Sequence, residues 1–249
     1  MNDLELAGAI AEGAGRILLE LRAGGLFSGK ALGRAGDRVA NAFIMEALRE
    51  YRPDDAVLSE EEQDDQARLN ARRVWIIDPL DGTREYGEGR ADWAVHVGLA
   101  IDGQPVIGAV ALPGAGQLML SQPQNLPKLA ARPRLVVSRT RPGPEALQVA
   151  EALGAELVPM GSAGAKAMAV LRGEAEIYLH AGGQYEWDNC APVAVALAAG
   201  LHASRIDGTA LTYNNQDPYS PDVLICQKQL APQVLALLRQ SKPALNNSL

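Results

Sequence analysis

Trp75-Ile76-Ile77-Asp78-Pro79-Leu80-Asp81-Gly82-Thr83 runs an apolar segment straight into two carboxylates and a turn. With Val74 in front, the segment has the β-branched and aromatic content of a buried strand. Pro79 forbids helix continuation and fixes the turn, Gly82 frees backbone N–H groups for close approach to an anion, and Thr83 adds a hydroxyl beside them. Hard divalent cations take carboxylate oxygens, water and substrate phosphate, and this turn offers Asp78 and Asp81 with the Leu80 carbonyl between them. Glu60, followed by Glu61 and Glu62, comes after a second apolar run, Ala56-Val57-Leu58. Strand ends in one sheet lie side by side, so the two acidic clusters can meet. Taken alone, the same residues also describe an ordinary surface turn and a solvated acidic run, and spacing leaves both readings open.

Upstream of the turn the pattern is helical. Leu4, Ala7, Ile10, Ala11, Ala14, Ile17, Leu18 and Leu21 recur at three- and four-residue steps before Gly24-Gly25, and a second helix is expected from about Asp37 to Glu50. Downstream, strand-like runs at Trp93–Ile101, Val106–Leu112 and Leu118–Leu120 are separated by Asp102-Gly103 and Pro113-Gly114. The Pro-, Gln- and Asn-rich stretch 121–134 is a boundary between two lobes, residues 1–125 and 126–249. Past it, the pattern predicts strands at 135–137, 156–159 and 175–179 and helices near 144–153, 163–172 and 189–199. Alternation of this kind indicates a layered α/β or α+β architecture.

The composition narrows the partners. A formal charge of -7 and a pI near 5.1 give no overall attraction to nucleic acid or to an anionic membrane. Asp3, Glu5, Glu12 and Glu20 give the first 22 residues the wrong charge pattern for a secretory signal. Cys190 and Cys226 are far apart and lack CxxC spacing, so a reducing, cytoplasmic setting is expected.

Four segments in order resemble the inositol monophosphatase superfamily of lithium-sensitive, Mg²⁺-dependent phosphatases: Leu58-Ser59-Glu60-Glu61, Trp75 to Thr83, Gly161-Ser162-Ala163-Gly164, and Trp187-Asp188. The resemblance implies a layered α-β-α-β-α sandwich of the sugar-phosphatase type. It implies two or three Mg²⁺ ions on Glu60, Asp78, the Leu80 carbonyl, Asp81 and Asp188, with inhibition by Li⁺, and it admits a homodimer. Thr83, Asp37 and Glu60 would activate the attacking water, although Gly33-Arg34-Ala35-Gly36 lacks the threonine that the family often places shortly before this aspartate. Substrate contacts would come from Asp81, Gly82, Thr83, Ser162, Gly164 and Asp188. Alone, Trp187-Asp188 would read as the cap of a helix beginning at Asn189.

Within the superfamily the chain is similar to the CysQ-like bisphosphate nucleotidases, which hydrolyse 3'-phosphoadenosine 5'-phosphate in sulfate assimilation. Lys166 stands where that branch keeps a lysine, Ala181 where inositol phosphatases place a glutamate, and Ser138-Arg139 resembles a segment that reaches phosphate. His180 is a further candidate contact, and Tyr185 could lie along an adenine or ribose face. Inositol-1-phosphate phosphatase and fructose-1,6-bisphosphatase are the rival activities within the superfamily. An inactive module that binds a phosphorylated metabolite is a more distant rival.

Overall fold

A computed structural model describes residues 1–64 and 66–241 of the 249-residue chain. Its helices and strands run in the order α1 (Asp3–Ala23), α2 (Gly29–Tyr51), β1 (Ala56–Ser59), β2 (Arg73–Asp81), α3 (Thr83–Gly87), β3 (Ala94–Ile101), β4 (Gln104–Leu112), β5 (Gln117–Leu120), β6 (Arg134–Ser138), α4 (Pro144–Leu153), β7 (Glu156–Met160), α5 (Ala163–Arg172), β8 (Ile177–His180), β9 (Gln184–Tyr185), α6 (Glu186–Ala198), β10 (His202–Ser204), β11 (Tyr219–Ser220), β12 (Val223–Cys226) and α7 (Ala231–Ser241). One sheet has the order β1-β2-β3-β4-β5, a second the order β10-β12-β8-β6-β7, and β9 pairs with β11 in a short ribbon.

The layers follow from the alternation of side chains along the strands. On β2, Trp75 and Ile77 join the core formed with α1 and α2, whereas Val74 and Ile76 join the core shared with α5 and α6. The second sheet packs α5 and α6 on one face, and α4 and α7 close the other around Leu135, Val149, Leu179 and Val234. Helix pair, sheet, helix pair, sheet, helix pair is the α-β-α-β-α sandwich that the resemblance implied. No helix among the described residues is long and apolar enough to cross a membrane.

Two helices start earlier than their sequence patterns predict. α2 begins at Gly29, well before Asp37, because tertiary contact overrides the poor helix propensity of its glycines. A Cβ on Gly33 would stand 2.5 Å from Thr83 Cγ2, and one on Gly36 2.9 Å from Leu80 Cδ2, so these glycines let the helix lie directly on the turn. α6 begins at Glu186 and not at Asn189, which places Asp188 inside its first turn. Pro192 lies within α6 and has no N–H, leaving the Asp188 carbonyl without its helical donor.

Candidate metal centre and active site

β2 aims the carboxylates. Asp78 follows Val74 and Ile76 on the face toward α6, and a register irregularity between Asp78 and Asp81 turns the second carboxylate to the same region. Asp78 Oδ1 accepts the Leu80 N–H at 3.0 Å, and Gly82 takes φ 87° to close the turn. β1 pairs in parallel with β2 so that Ser59 stands opposite Ile77, and Glu60, whose N–H donates to the Ile77 carbonyl at 3.2 Å, emerges beside Asp78. From the other side, α6 brings Asp188, whose carboxylate accepts the Tyr185 N–H at 2.7 Å. Oxygens of Asp78, Asp81 and Asp188 all lie within 4.8 Å of one another.

The electrostatics of this cluster are those of a site built for a cation. Burial, followed by the charges of Glu60, Asp81 and Asp188, pushes the Asp78 carboxyl well above its ordinary value. Burial and the neighbouring Asp188 and Asp37 raise Glu60 to about 7, and burial with Asp81 raises Asp188 to about 6. An all-oxygen set of mutually repelling carboxylates suits a hard divalent ion and not a soft one.

Asp81 differs from its neighbours. Burial opposes its ionisation, but His96, the α5 amides and Lys166 outweigh that and hold it below the usual carboxylate range. The Ala163 and Gly164 N–H groups donate to it at 3.1 and 2.6 Å from the first turn of α5, and Ser162 Oγ caps that helix by accepting the Ala165 N–H at 3.0 Å. The fully buried His96 places Nε2 3.2 Å from Asp81 Oδ2, and this neighbour favours the ionised carboxylate. Its Nδ1 lies 3.0 Å from the Trp187 carbonyl. His96 thereby ties the metal turn to the start of α6. The sequence reading missed it; a lone titratable side chain in the apolar run of β3, opposite Asp78 in register, was the available signal.

Thr83 Oγ1 lies 3.3 Å from Asp37 Oδ1 and 3.1 Å from the Leu80 carbonyl. Burial and the nearby Glu61 raise Asp37 to about 7 despite the Thr83 hydroxyl. The turn, Glu60 and Asp188 line a cavity of about 350 Å³ together with Gly182-Gly183, Tyr185, Trp187 and Tyr219.

Seven sequence candidates lie outside the cavity lining: Asp37, which reaches it only through Thr83, and Ser138, Arg139, Ser162, Gly164, Lys166 and His180. Ser162 and Gly164 act on Asp81 through α5, as described. Arg139 pairs with Glu85 and Glu88, both at 2.7 Å, bridging β6 to α3. Buried Lys166 donates to the Gly161 carbonyl and sits over the Tyr178 ring. Ser138 Oγ accepts the Arg141 N–H at 3.3 Å, and His180 Nε2 is 3.1 Å from the Gly183 carbonyl.

Residues 28–242 match the inositol monophosphatase family. The chain is 47% identical over 259 aligned residues to the 3'-phosphoadenosine 5'-phosphate phosphatase of Mycobacterium leprae, covering 96% of this chain and 94% of that one. It is 30% identical over 198 residues to the 3'(2'),5'-bisphosphate nucleotidase CysQ of Salmonella typhimurium, covering 74% and 80%. The crystal structure of CysQ from Bacteroides thetaiotaomicron superposes with a TM-score of 0.80 at 25% identity over 91% of this chain and 97% of that one. With the four segments, the layered fold and the clustered carboxylates in place, this chain belongs to the inositol monophosphatase family.

Proposed function

We propose that this protein is a phosphatase that removes the 3'-phosphate of 3'-phosphoadenosine 5'-phosphate, giving AMP and phosphate, with Mg²⁺ held by Glu60, Asp78, Asp81, Asp188 and the Leu80 carbonyl. The observation that carries the chemistry is the cluster of Asp78, Asp81 and Asp188 on one cavity wall, beside a threonine-aspartate pair. The likeness to relatives named for this substrate carries its identity.

A bound divalent cation would neutralise phosphate charge and lower the pKa of a water. The protein's own groups supply the rest. Asp37, its carboxyl raised by burial and Glu61, accepts the proton of the attacking water through the Thr83 hydroxyl, and Glu60 orients that water from the end of β1. Gly82 and Thr83 amides hold phosphate oxygens at the mouth of the turn. Asp81, ionised and fixed by α5 and His96, keeps its charge in place throughout. Li⁺ is expected to inhibit by replacing one Mg²⁺.

The test is phosphate release by purified protein from 3'-phosphoadenosine 5'-phosphate, inositol 1-phosphate and fructose 1,6-bisphosphate, with Mg²⁺, with chelator and with Li⁺. The bisphosphonucleotide should be the best substrate and chelation should abolish turnover. Faster hydrolysis of inositol 1-phosphate would overturn the substrate assignment.

A further inference from the structure

The cavity that holds the carboxylates has aromatic lining in a chain that has few such residues. Aromatic side chains make up 4% of the sequence, and three of them meet at this one cavity. Tyr185 and Trp187 stack with ring centroids 4.7 Å apart and planes 8° from parallel, and Tyr219 stands edge-on to Tyr185 at 6.0 Å and 81°. Tyr185 and Tyr219 are 45% and 49% exposed, whereas Tyr86, Tyr178, Trp75 and Trp93 are buried in the cores.

These exposed rings are held firmly. Tyr219 stands opposite Tyr185 in the β9–β11 ribbon, and the Glu186 N–H donates to the Pro218 carbonyl at 2.8 Å. Buried Asn189 donates to Ser220 Oγ and Gln184 Oε1 and accepts the Tyr213 hydroxyl at 2.9 Å, so the ribbon is anchored from below. Gly183 takes φ +82°, and a Cβ there would stand 2.4 Å from the Tyr219 hydroxyl, so only a residue without a side chain lets that ring lie over the backbone. The Gln184 amide is engaged by Tyr178 and Asn189. The cavity lining here is therefore made chiefly of ring faces, with the tyrosine hydroxyls and the indole N–H at their edges.

We propose that Tyr185, Trp187 and Tyr219 form a preorganised seat for a flat heteroaromatic base, setting the preference for nucleotides over sugar and cyclitol phosphates. The stacked pair provides the flat surface and the perpendicular Tyr219 the wall, in the same cavity as the carboxylates that act on the phosphate. This rests on the phosphatase reading for its substrate, but binding at the seat is separable from hydrolysis. Fixing the rings in advance reduces the ordering cost when a base binds, and loss of one base-stacking partner corresponds to about a fivefold to hundredfold weakening.

The experiment uses Tyr219→Leu and Tyr185→Leu, which keep apolar bulk, beside Tyr219→Phe and Tyr185→Phe. The ratio of kcat/KM for 3'-phosphoadenosine 5'-phosphate to that for β-glycerophosphate should fall at least about fivefold in the leucine variants, through KM, and stay near wild type in the phenylalanine variants. Separately, AMP added to metal-free protein should quench Trp187 fluorescence, and the quenching should vanish in Trp187→Phe. An unchanged substrate ratio in both leucine variants, or absence of quenching, overturns the seat. Quenching by AMP without any bisphosphonucleotide hydrolysis would sink the phosphatase assignment and leave the seat standing.

Discussion

The carboxylate wall and the basic residues behind it stand in opposite electrostatic states. Glu60, Asp78 and Asp188 are crowded by burial and by one another, each with its carboxyl pushed upward. Arg139 is fully engaged by Glu85 and Glu88, and Lys166 is buried against the Gly161 carbonyl, its ammonium pulled down by burial. The first region is a demand for cations created by the fold before any ligand arrives. The second is already occupied within the protein, Arg139 in joining the end of β6 to α3 and Lys166 in holding the loop before its own helix. An anionic substrate would therefore be drawn to this acidic cavity through bound cations and backbone amides, with the basic side chains acting as struts.

The sharpest way to break this contrast is to neutralise the crowded wall. Asp78→Asn and Asp188→Asn should each lower kcat by at least about 10²–10³-fold, the scale set by loss of a single electrostatic stabiliser, while raising the metal-free melting temperature because a repelled buried charge is gone. Parallel assays of turnover and thermal unfolding check both signs. Asp37→Asn should cost on the order of 10²-fold in kcat with little change in KM, as loss of a proton acceptor does. Steady-state kinetics decide it.

His96→Gln tests the paired exception within the acidic wall. Removing the imidazole that holds Asp81 in place should weaken Mg²⁺ binding, read by calorimetry, and kcat/KM by about 10–100-fold, the usual cost of disturbing a group that orients a ligand. A pH series on metal-free protein probes the same imbalance. Folded carboxyls held above their ordinary values contribute stability below the unfolded pKa and lose it as pH rises through the folded one. With Glu60 and Asp37 near 7 and Asp188 near 6, metal-free protein should melt progressively lower from about pH 4 to 7, and Mg²⁺ should flatten that slope. The smallest effect belongs to the strut: Arg139→Gln should lower the melting temperature only slightly and leave KM near wild type. A tenfold rise in KM would show instead that Arg139 releases its glutamates to reach substrate phosphate.

The strands of the first sheet were legible because they are near-continuous apolar runs with clear turns between, as expected of strands buried on both faces, and so were α1, α4 and α5, where helical spacing is plain. The early start of α2 was hidden by Gly29, Gly33 and Gly36, whose poor helix propensity is offset by contact with the turn, whereas α6 starts three residues ahead of its expectation, at Glu186. The β9–β11 ribbon is too short for any periodic signal, and its aromatic rings become a surface only when residues 185 and 219 are brought together.

By itself the sequence determined that an apolar strand delivers Asp78 and Asp81 to a proline- and glycine-shaped turn, and its ordered segments pointed to Glu60 and Asp188 as companions. Those features are local, fixed by strand periodicity and turn chemistry. Tertiary structure decided which carboxylates repel and which is satisfied, that His96 clamps Asp81, that Lys166 and Arg139 lie off the cavity lining, and that three aromatic rings join that lining. Such properties depend on burial and on distances between residues remote in the chain, and neither is written in any single stretch of sequence.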